Sequence, residues 1–422
     1  MVDLEEYVKI SLIIPTRERA SLLQHCLKTA LAIQDDEIEI IVCDNCSQDA
    51  TPEVIGQVSD PRVVKVRANK RLSMRENFEN GLRHATGDYI CFIGDDDGFV
   101  PNQFPFARRL LEQTSPDTMA YSFLRYAWPG AGSKSKEGTV RLERRRLFRQ
   151  ARKIDLEEMR DNALSGRVNW LEGWPDIYHG FVSRAYIERI RVSPGDFFRG
   201  RAPDVFFTYL SLLRGSNHLF VPHCFSISGY SSSSTGGSTH QVASSSSTDS
   251  PAHRFEQEAS VDPIQDRINL GFGVPPGLFS TIVQACREAG GRQPDYAAWF
   301  SYIIRSTQEM EDLQRRTVLE RLQGFIAEEN LWAEWQQANS TGASIARSLF
   351  RVSPDNLRMV VTKALNKAHS FRVSAHRLND LTIAGACSAV DQALSDSFVK
   401  VLSGEMTASE AWNGACRRGA TR

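Results

Sequence analysis

The 422-residue sequence predicts an α/β fold, a sheet flanked by helices, followed by a mostly helical carboxyl-terminal domain. Three observations support this prediction. In the first hundred residues, short β-rich runs alternate with amphipathic stretches, which is typical of parallel strands joined by crossover helices. After about residue 250, apolar residues recur at helical spacing. Between the two lies a Ser/Thr/Gly-rich tract over 231–250, which indicates a loop. We therefore predict two domains, 1–250 and 251–422.

The amino-terminal elements follow in regular order. The predicted strands are Ile10 to Ile14, Ile38 to Cys43, Val63 to Val66 and Tyr89 to Ile93. Apolar spacing predicts a helix over 20–33. We expect Thr51 to cap a short helix that Pro52 begins. Ser73 and Glu76 stand at capping-box spacing before a helix that Gly87 ends.

Later elements are predicted from the same periodicities. A helix near 105–113 precedes a strand over 119–126, and a helix from Asp204 to Leu213 precedes a strand over 219–228. The predicted carboxyl-terminal helices lie near 276–289, 296–323, 325–338, 355–369 and 384–403.

Composition argues against several classes of protein. Lys and Arg number 50 against 51 Asp and Glu, and this balance disfavours a dedicated nucleic-acid binder. No apolar run approaches the roughly 20 residues of a membrane-spanning helix, so we expect no transmembrane segment. The acidic start MVDLEEYVK does not resemble a secretory signal. Eight cysteines without regular spacing indicate reduced thiols, and we expect a cytoplasmic protein.

Polar residues follow three of the four amino-terminal strands. They are Thr16-Arg17-Glu18-Arg19, Asp44-Asn45 and Asp95-Asp96-Asp97. In open α/β sheets, ligands bind beyond the carboxyl ends of strands. Adjacent carboxylates raise one another's pKa unless a cation neutralises them, and a hard cation such as Mn2+ or Mg2+ does so through oxygen ligands. A solvated turn before Pro101 is the alternative interpretation.

The motifs PTRER, CDNCSQDAT and the stretch from Asn69 to Pro101 resemble glycosyltransferase family 2 in order and spacing. The resemblance is strong over residues 8–101, weaker over 102–240 and absent from the carboxyl-terminal third. It implies a GT-A fold, a Rossmann-like mixed sheet with a nucleotide-sugar half over 1–101 and an acceptor half over 102–250. It also implies metal-dependent, inverting transfer from a nucleotide-diphosphate sugar, with a UDP-sugar favoured, to a glycan or glycolipid in bacterial surface polysaccharide biosynthesis.

The resemblance further implies roles for individual residues. The positions that match donor contacts are Thr16, Arg17, Asp44, Asn45, Asn69, Arg75 and Asn77. The triple Asp resembles the D-x-D element in either of two alignments. In the first, Asp96 and Asp97 belong to the metal site and Asp95 contacts the ribose or sugar. In the second, Asp95 and Asp97 form the pair and the roles shift by one. His240 or His223 could complete the metal shell.

Inverting transfer also needs a general base for the acceptor hydroxyl. The family places an Asp at a helix start, which here matches Asp204 in RAPDVFFTYL. Asp176 is the rival base, and a plain helix N-cap is the alternative role for Asp204. An aromatic group could stack an acceptor sugar or simply pack in the core. Its members are Trp170, Trp174, Tyr178 and His179.

Other features leave several possibilities open. The basic run over 141–153 could meet an anionic lipid acceptor or the inner face of the membrane, or be a solvated face. The carboxyl-terminal helices could mediate an oligomer. A nucleotidyltransferase is disfavoured because PTRER lacks a Gly-rich loop with a Lys. A non-catalytic scaffold that binds sugar nucleotides or glycans is the other alternative. The Q-x-x-R-W element of processive synthases is absent, which favours single-sugar transfer.

Overall fold

The computed structural model describes residues 7–131, 137–168, 173–191, 195–232, 234, 270, 274–308, 310–348 and 369–419. These ranges contain two β-sheets. Their strands are β1 Ile10–Thr16, β2 Ile38–Asp44, β3 Val63–Arg67, β4 Tyr89–Phe92, β5 Gly98–Phe99, β6 Thr118–Tyr121, β7 Leu124–Ala127, β8 Thr139–Glu143, β9 Arg152–Lys153, β10 Gly180–Ser183, β11 His218–Val221, β12 Ser226–Tyr230 and β13 Ser370–Ser374.

Helices flank the strands and dominate the later part of the chain. The described α-helices are α1 Ala20–Leu31, α2 Thr51–Gly56, α3 Met74–His84, α4 Phe104–Thr114, α5 Glu157–Leu164, α6 Arg184–Ile190, α7 Pro203–Arg214, α8 Val274–Ala289, α9 Tyr296–Thr307, α10 Asp312–Glu329, α11 Trp332–Ser348, α12 Ile383–Leu394, α13 Ser397–Leu402 and α14 Ala408–Gly419. None of these helices is both long enough and apolar enough to cross a membrane.

The larger sheet mixes parallel and antiparallel strands. Its order is β3-β2-β1-β4-β10-β6-β11-β9, and the smaller sheet has the order β13-β8-β7-β12-β5. Strand β1 lies parallel to β2 and β4, whereas β10 is antiparallel to β4 and β6. The predicted fold class, a mixed α/β sheet with flanking helices and a helical carboxyl-terminal region, is therefore confirmed.

Two predicted strands are each divided between the sheets. The strand predicted over 119–126 is β6 and β7, and the one predicted over 219–228 is β11 and β12. In both cases the first half pairs in the larger sheet and the second half pairs in the smaller one. Because β6 is parallel to β11 and β7 is parallel to β12, the two segments pass together from one sheet to the other.

The strand ends that position the site meet at one edge of the larger sheet. Thr16 at the end of β1 lies opposite Asp44 at the end of β2, and Ile13 lies opposite Phe92 at the end of β4. Helix α3 lies close against these strands at Gly81, where an added Cβ would be 2.6 Å from the Ile13 side chain. The absence of a side chain at this position therefore allows the helix to approach the sheet.

Several predictions about helix boundaries are corrected. Thr51 is the first residue of α2 and does not cap it; its N–H donates to the Asp49 carboxylate at 3.0 Å.

The helix predicted over 296–323 is two helices, α9 and α10. The helix predicted over 325–338 is the end of α10 and the start of α11, which are separated at Asn330, whose φ of 57° is left-handed. The helix predicted over 384–403 breaks between α12 and α13 at Ser395, whose φ of 54° is also left-handed. Residues 355–368 of another predicted helix lie outside the described residues.

The boundary predicted near residue 250 also lies outside the described residues, but the segments on either side of it share their cores. One hydrophobic cluster joins Ile10 and Ile14 of β1 to Val390 of α12 and Trp412 of α14. A second cluster joins other amino-terminal residues to helices α8 to α11. In addition, β13 pairs with β8 and completes the smaller sheet. The described carboxyl-terminal residues thus pack on the amino-terminal sheets.

Candidate active site

Asp95 lies between the end of β1 and a partly buried arginine. The Thr16 hydroxyl donates to Asp95 Oδ2 at 2.7 Å, and Arg19 Nη1 lies 2.9 Å from Asp95 Oδ1. Burial lowers the pKa of Arg19, but the charges of Asp95 and Asp96 outweigh it and raise that pKa above its ordinary value. Arg17, the residue predicted from the sequence, is half-buried in the same loop. Arg19 was not predicted as a site residue; it follows Glu18, whose φ of 52° is left-handed.

Asp96 is a strongly perturbed member of the triple Asp. Its side chain is buried, and its Oδ2 accepts hydrogen bonds from the hydroxyls of Ser231, at 2.9 Å, and Ser234. Burial raises the pKa of Asp96 to about 7; the charges of Asp97 and Asp95 add to this effect and Arg19 opposes it. A carboxylate in these surroundings is stabilised by any cation that reaches it.

Asp97 is held by donors from three segments. Its Oδ2 accepts from the Gly94 N–H at 2.7 Å and from the Tyr178 hydroxyl at 2.5 Å, and its Oδ1 accepts from the Gly229 N–H at 2.7 Å. The ring of His179 is also close, with Nε2 3.1 Å from Oδ2. Both oxygens are therefore engaged, and Asp97 ties the loop after β4 to β12 and to the turn before β10.

The three carboxylates point toward different partners. Asp95 faces Arg19, Asp96 faces Ser231, and Asp97 faces Tyr178.

Among the described residues, no three His, Cys, Asp or Glu side chains converge to form a metal site. His240, predicted as a further ligand, lies outside the described residues. His223 is buried elsewhere, where its ring stacks on Phe398 with centroids 3.7 Å apart.

The residues after β2 form a second part of the site. Asp44 is buried, accepts the Ser47 N–H at 2.9 Å and forms an ion pair with Arg67. Asn45 exchanges two hydrogen bonds of 2.8 Å with the Leu72 backbone, so its amide holds the loop before α3. Asn69 is exposed in this loop. Asp44 and Asn45 thus lie near Thr16, and Asn45 is engaged by backbone groups.

Two predicted donor contacts, Arg75 and Asn77, are buried on α3. Arg75 is only 2% exposed and forms an ion pair of 2.8 Å with Asp196, which also pairs with Arg83. Asn77 donates to the Cys43 carbonyl at 3.3 Å, while its Oδ1 is buried without a hydrogen-bond partner in the described part of the chain. Asn77 therefore adjoins the end of β2, whereas Arg75 contacts the segment that precedes α7.

Both candidate bases lie in one electrostatic cluster. Asp204 is in the first turn of α7, where Ala202 is the N-cap, so the alternative N-cap role for Asp204 is wrong. Burial raises the pKa of Asp204. Burial also raises the pKa of Asp176, and the charge of Asp204 raises it further. Burial raises the pKa of Tyr178, and the charges of Asp97, Asp96 and Asp204 raise it further, so Asp204 lies within electrostatic range of the residue that donates to Asp97.

The predicted aromatic platform is only partly described. Trp170 lies outside the described residues, and Trp174 is buried with its ring centroid 6.4 Å from that of Tyr209, which fits core packing. Tyr178 and His179 instead contact Asp97. Their aromatic character was visible in the sequence, but their contacts with Asp97 depend on the turn at His179, whose φ is 55°.

Residues 11–172 match the profile of Glycosyl transferase family 2. The resemblance noted from the sequence is confirmed over these residues.

Two curated relatives illustrate the similarity. The GalNAc(5)-diNAcBac-PP-undecaprenol beta-1,3-glucosyltransferase of Campylobacter jejuni is 31% identical over 132 residues, which cover 31% of this chain and 41% of that protein. The UDP-Glc:alpha-D-GlcNAc-diphosphoundecaprenol beta-1,3-glucosyltransferase WfaP of Escherichia coli is 30% identical over 91 residues, which cover 22% of this chain and 36% of that protein. The chain thus spans less than half the length of each relative.

Among solved structures, S. aureus TarS in complex with UDP-GlcNAc aligns with a TM-score of 0.46 and 13% identity. The alignment covers 81% of this chain and 92% of the TarS chain.

Proposed function

We propose that the protein is an inverting glycosyltransferase that moves one sugar from a nucleotide-diphosphate donor to a glycan or glycolipid acceptor. The observation that carries this proposal is the arrangement at the ends of β1, β2 and β4. There, within the residues that match family 2, Asp95 accepts from Thr16, and Tyr178, which donates to Asp97, lies within electrostatic range of Asp204. A nucleotide beyond these strand ends would lie beside both the acidic cluster and a candidate base.

The donor would bind across the two parts of the site. We assign Thr16, Arg17, Asp44 and Asn69 to the nucleotide end. Asn77 adjoins the same strand end through the Cys43 carbonyl, and its buried Oδ1 has the capacity to accept a hydrogen bond. Asn45 and Arg75 support this surface through Leu72 and Asp196. A UDP-sugar is the favoured donor, since the name of the Escherichia coli relative specifies UDP-Glc.

A divalent cation, Mn2+ or Mg2+, fits the surroundings of Asp96. This carboxylate is buried, its pKa is raised by burial and by its neighbours, and its Oδ2 accepts from the neutral hydroxyls of Ser231 and Ser234. Asp97 fits a ligand role less well, because both its oxygens already accept from the protein. When bound, such a cation neutralises the charge on the departing nucleoside diphosphate.

Asp204 is our candidate for the general base. It would accept the proton of the acceptor hydroxyl as that oxygen attacks the sugar. Because burial raises the pKa of Asp204, the carboxylate is a stronger base than a surface Asp. Its protonation on acidification would therefore reduce the rate at a higher pH than for a surface Asp. Asp176, whose Oδ1 accepts the Tyr178 N–H at 2.9 Å, is the alternative base.

The proposed acceptor and setting rest on the relatives. Both of their names include a sugar linked through a diphosphate to undecaprenol, which is a lipid. We propose a related acceptor, in bacterial surface polysaccharide biosynthesis, reached by the protein from the cytoplasm at the inner face of the membrane.

The experiment measures nucleoside diphosphate release from a panel of UDP, GDP and TDP sugars with Mn2+ or Mg2+. Replacing a general base costs about 100-fold or more. We therefore expect Asp204→Asn to lower kcat by that factor, and Asp96→Ala to abolish the metal-dependent activity. The control is Arg287→Gln, at an exposed position on α8. Full activity in both folded active-site variants would overturn the proposal, and no release with any donor would favour the non-catalytic scaffold.

A further inference from the structure

Helix α3 has one face against the strand ends and a row of charged side chains on the opposite face. Asn77 and Gly81 lie close to the end of β2. Arg75, Glu79 and Arg83 are spaced four residues apart, so they share a face of the helix. Because 3.6 residues make one turn, residues two positions apart point in nearly opposite directions. The charged row therefore points away from the strand ends.

Glu79 binds the backbone of the segment that precedes α7. Its Oε2 accepts the N–H groups of Phe197, at 2.8 Å, and of Phe198, at 3.1 Å. The residue is only 2% exposed, so water has little access to these hydrogen bonds. Burial raises the pKa of Glu79, with the charge of Asp196 adding to this effect and the two N–H groups opposing it. The surroundings thus do not favour a charge here, and the main contribution of Glu79 is an acceptor oxygen at a fixed position.

The arginines on either side of Glu79 bind the preceding residue of the same segment. Asp196 forms an ion pair of 2.8 Å with Arg75 and a second ion pair with Arg83. The three side chains of the charged row therefore bind three successive residues, 196–198. A shift of this segment along α3 would break several contacts at once.

The segment also packs against α7, the helix that carries Asp204. The ring centroid of Phe197 lies 6.4 Å from that of Phe206, which is two residues beyond Asp204. The ring of Phe198 packs edge-on against Phe92 at the end of β4, with centroids 6.0 Å apart. The segment thus connects α3 and the larger sheet to the start of α7.

We propose that Glu79 is a positioning residue for the proposed sugar transfer. By holding residues 197 and 198 on α3, it fixes the start of α7, and with it Asp204, relative to the donor surface on the opposite face of α3. Glu79 would act through Asp204 and would contact neither donor nor acceptor. This inference rests on the proposed function for the role of Asp204.

A second buried glutamate distinguishes positioning from a purely structural role. Glu39 also accepts two successive backbone N–H groups, those of Thr86 and Gly87. It lies on β2, five residues before Asp44, which places it about 16 Å from the strand ends of the site. Loss of Glu39 should therefore destabilise the fold in a similar way without moving α7.

The first experiment compares kcat and donor KM for nucleoside diphosphate release by the full chain. A displacement of about 1 Å near the reacting groups can cost about 100-fold in rate, so Glu79→Ala should lower kcat by about 10- to 100-fold. Donor KM should not change, because the assigned donor contacts do not include the segment that Glu79 holds. Glu39→Ala is the matched control and should keep the parental kcat.

Conservative variants separate the acceptor oxygen from its charge. The amide oxygen of Glu79→Gln can accept both N–H groups, so this variant should retain most of the parental kcat. Glu79→Asp is shorter by one methylene and should behave like Glu79→Ala, which it replaces if circular dichroism shows that Glu79→Ala does not fold. A loss of kcat in Glu79→Gln as large as in Glu79→Asp would contradict the proposed role of the acceptor oxygen.

Hydrogen exchange tests the positioning without relying on activity. In the first turn of α7, the Phe206 N–H donates to the Ala202 carbonyl at 2.9 Å. This N–H should exchange faster in Glu79→Ala than in the parent, and at the parental rate in Glu39→Ala. Unchanged exchange in Glu79→Ala, or an equal loss of kcat in the two alanine variants, would overturn the proposal.

The role of Glu79 and the proposed function fail in different ways. Full activity of Asp204→Asn would contradict the proposed base, whereas faster exchange at the start of α7 in Glu79→Ala would still support the anchoring of this helix. Reduced activity of Asp204→Asn together with full activity of Glu79→Ala would contradict only the role of Glu79.

Discussion

At the residue scale, Glu39 shows how a buried carboxylate is kept ionised. It is buried in β2 and accepts hydrogen bonds from the Ser11 hydroxyl, from the backbone and hydroxyl of Thr86, and from the Gly87 N–H. Burial raises the pKa of Glu39, but the hydrogen bonds from Ser11 and Thr86 outweigh it and lower the pKa to about 2. The side chain thus fixes the loop between α3 and β4.

The lowered pKa of Glu39 predicts acid sensitivity. Its folded pKa of about 2 lies below the ordinary value of 4.5, so its stabilising contribution is present above pH 4.5 and is lost as pH falls toward 2. We expect Glu39→Gln to lower the free energy of unfolding by about 1–3 kcal/mol at neutral pH. Urea titrations across the acidic range should show the two proteins converging. Parallel curves would contradict the prediction.

A second prediction concerns Tyr178. Tyr178→Phe removes one donor from the buried carboxylate of Asp97 but keeps the ring. Because a hydrogen bond to a charged group contributes about 1.5–3 kcal/mol, we expect a stability loss of that size, with a lower kcat for donor hydrolysis. Tyr302→Phe, on a half-buried tyrosine of α9, is the control. A variant as stable and active as the parent would show that the Asp97 contact is dispensable.

The sequence predicted which residues lie at the strand ends of the site better than it predicted the side chains that contact them. Thr16 and Asp44 end buried strands and the aspartates follow β4, and the edge where parallel strands end is set by local pattern. Arg19 could not be chosen over Arg17, because the sequence does not show which of the two guanidinium groups reaches Asp95. The hydroxyl of Ser231 near Asp96 comes from a distant segment, which no local pattern places.

At the scale of elements, α3 is the clearest success of prediction. Its capping box was visible in the sequence and is present in the helix, which ends at His84, shortly before Gly87. Strand β13 was missed within a region predicted to be helical. Its residues become a strand because β8 supplies the partner, and the two are far apart in sequence. Pairing of this kind is decided by tertiary context.

The capping box of α3 can be tested directly. Ser73→Ala removes the acceptor for the Glu76 N–H, which leaves a first-turn amide unsatisfied. We expect a loss of about 1 kcal/mol in the free energy of unfolding, measured by urea denaturation. Ser21→Ala is the control, since this serine is exposed in the first turn of α1, where no side chain caps the helix. Equal effects of the two changes would argue against a contribution from the cap.

At the scale of the whole molecule, the carboxyl-terminal helices belong to the same packing as the sheets. Phe398 of α13 stacks on His223, whose Nε2 lies 3.0 Å from Gln103 Oε1. Gln103 in turn donates to Asp391 of α12 at 3.0 Å. This buried chain of contacts connects the start of α4 to the carboxyl-terminal helices, so we expect these parts to unfold together.

That expectation predicts one cooperative transition. Phe398→Ala leaves a cavity beside His223 and should lower the free energy of unfolding by about 3–5 kcal/mol. The whole transition should shift, with the same midpoint by tryptophan fluorescence and by far-UV circular dichroism. Leu313→Ala, at an exposed position of α10, is the control. Two separate transitions, with only one of them shifted, would show an independent carboxyl-terminal domain.

The pairing of β8 with β13 has a consequence for synthesis on the ribosome. Strand β8 is complete once residue 143 has emerged, yet its outer neighbour follows only at residues 370–374. During translation of the intervening chain, the nascent sheet presents an open edge with unpaired backbone groups. The arginine cluster that begins in β8 would repel the same edge of another nascent chain. The arrival of β13 therefore decides when this edge stops being available for misassembly.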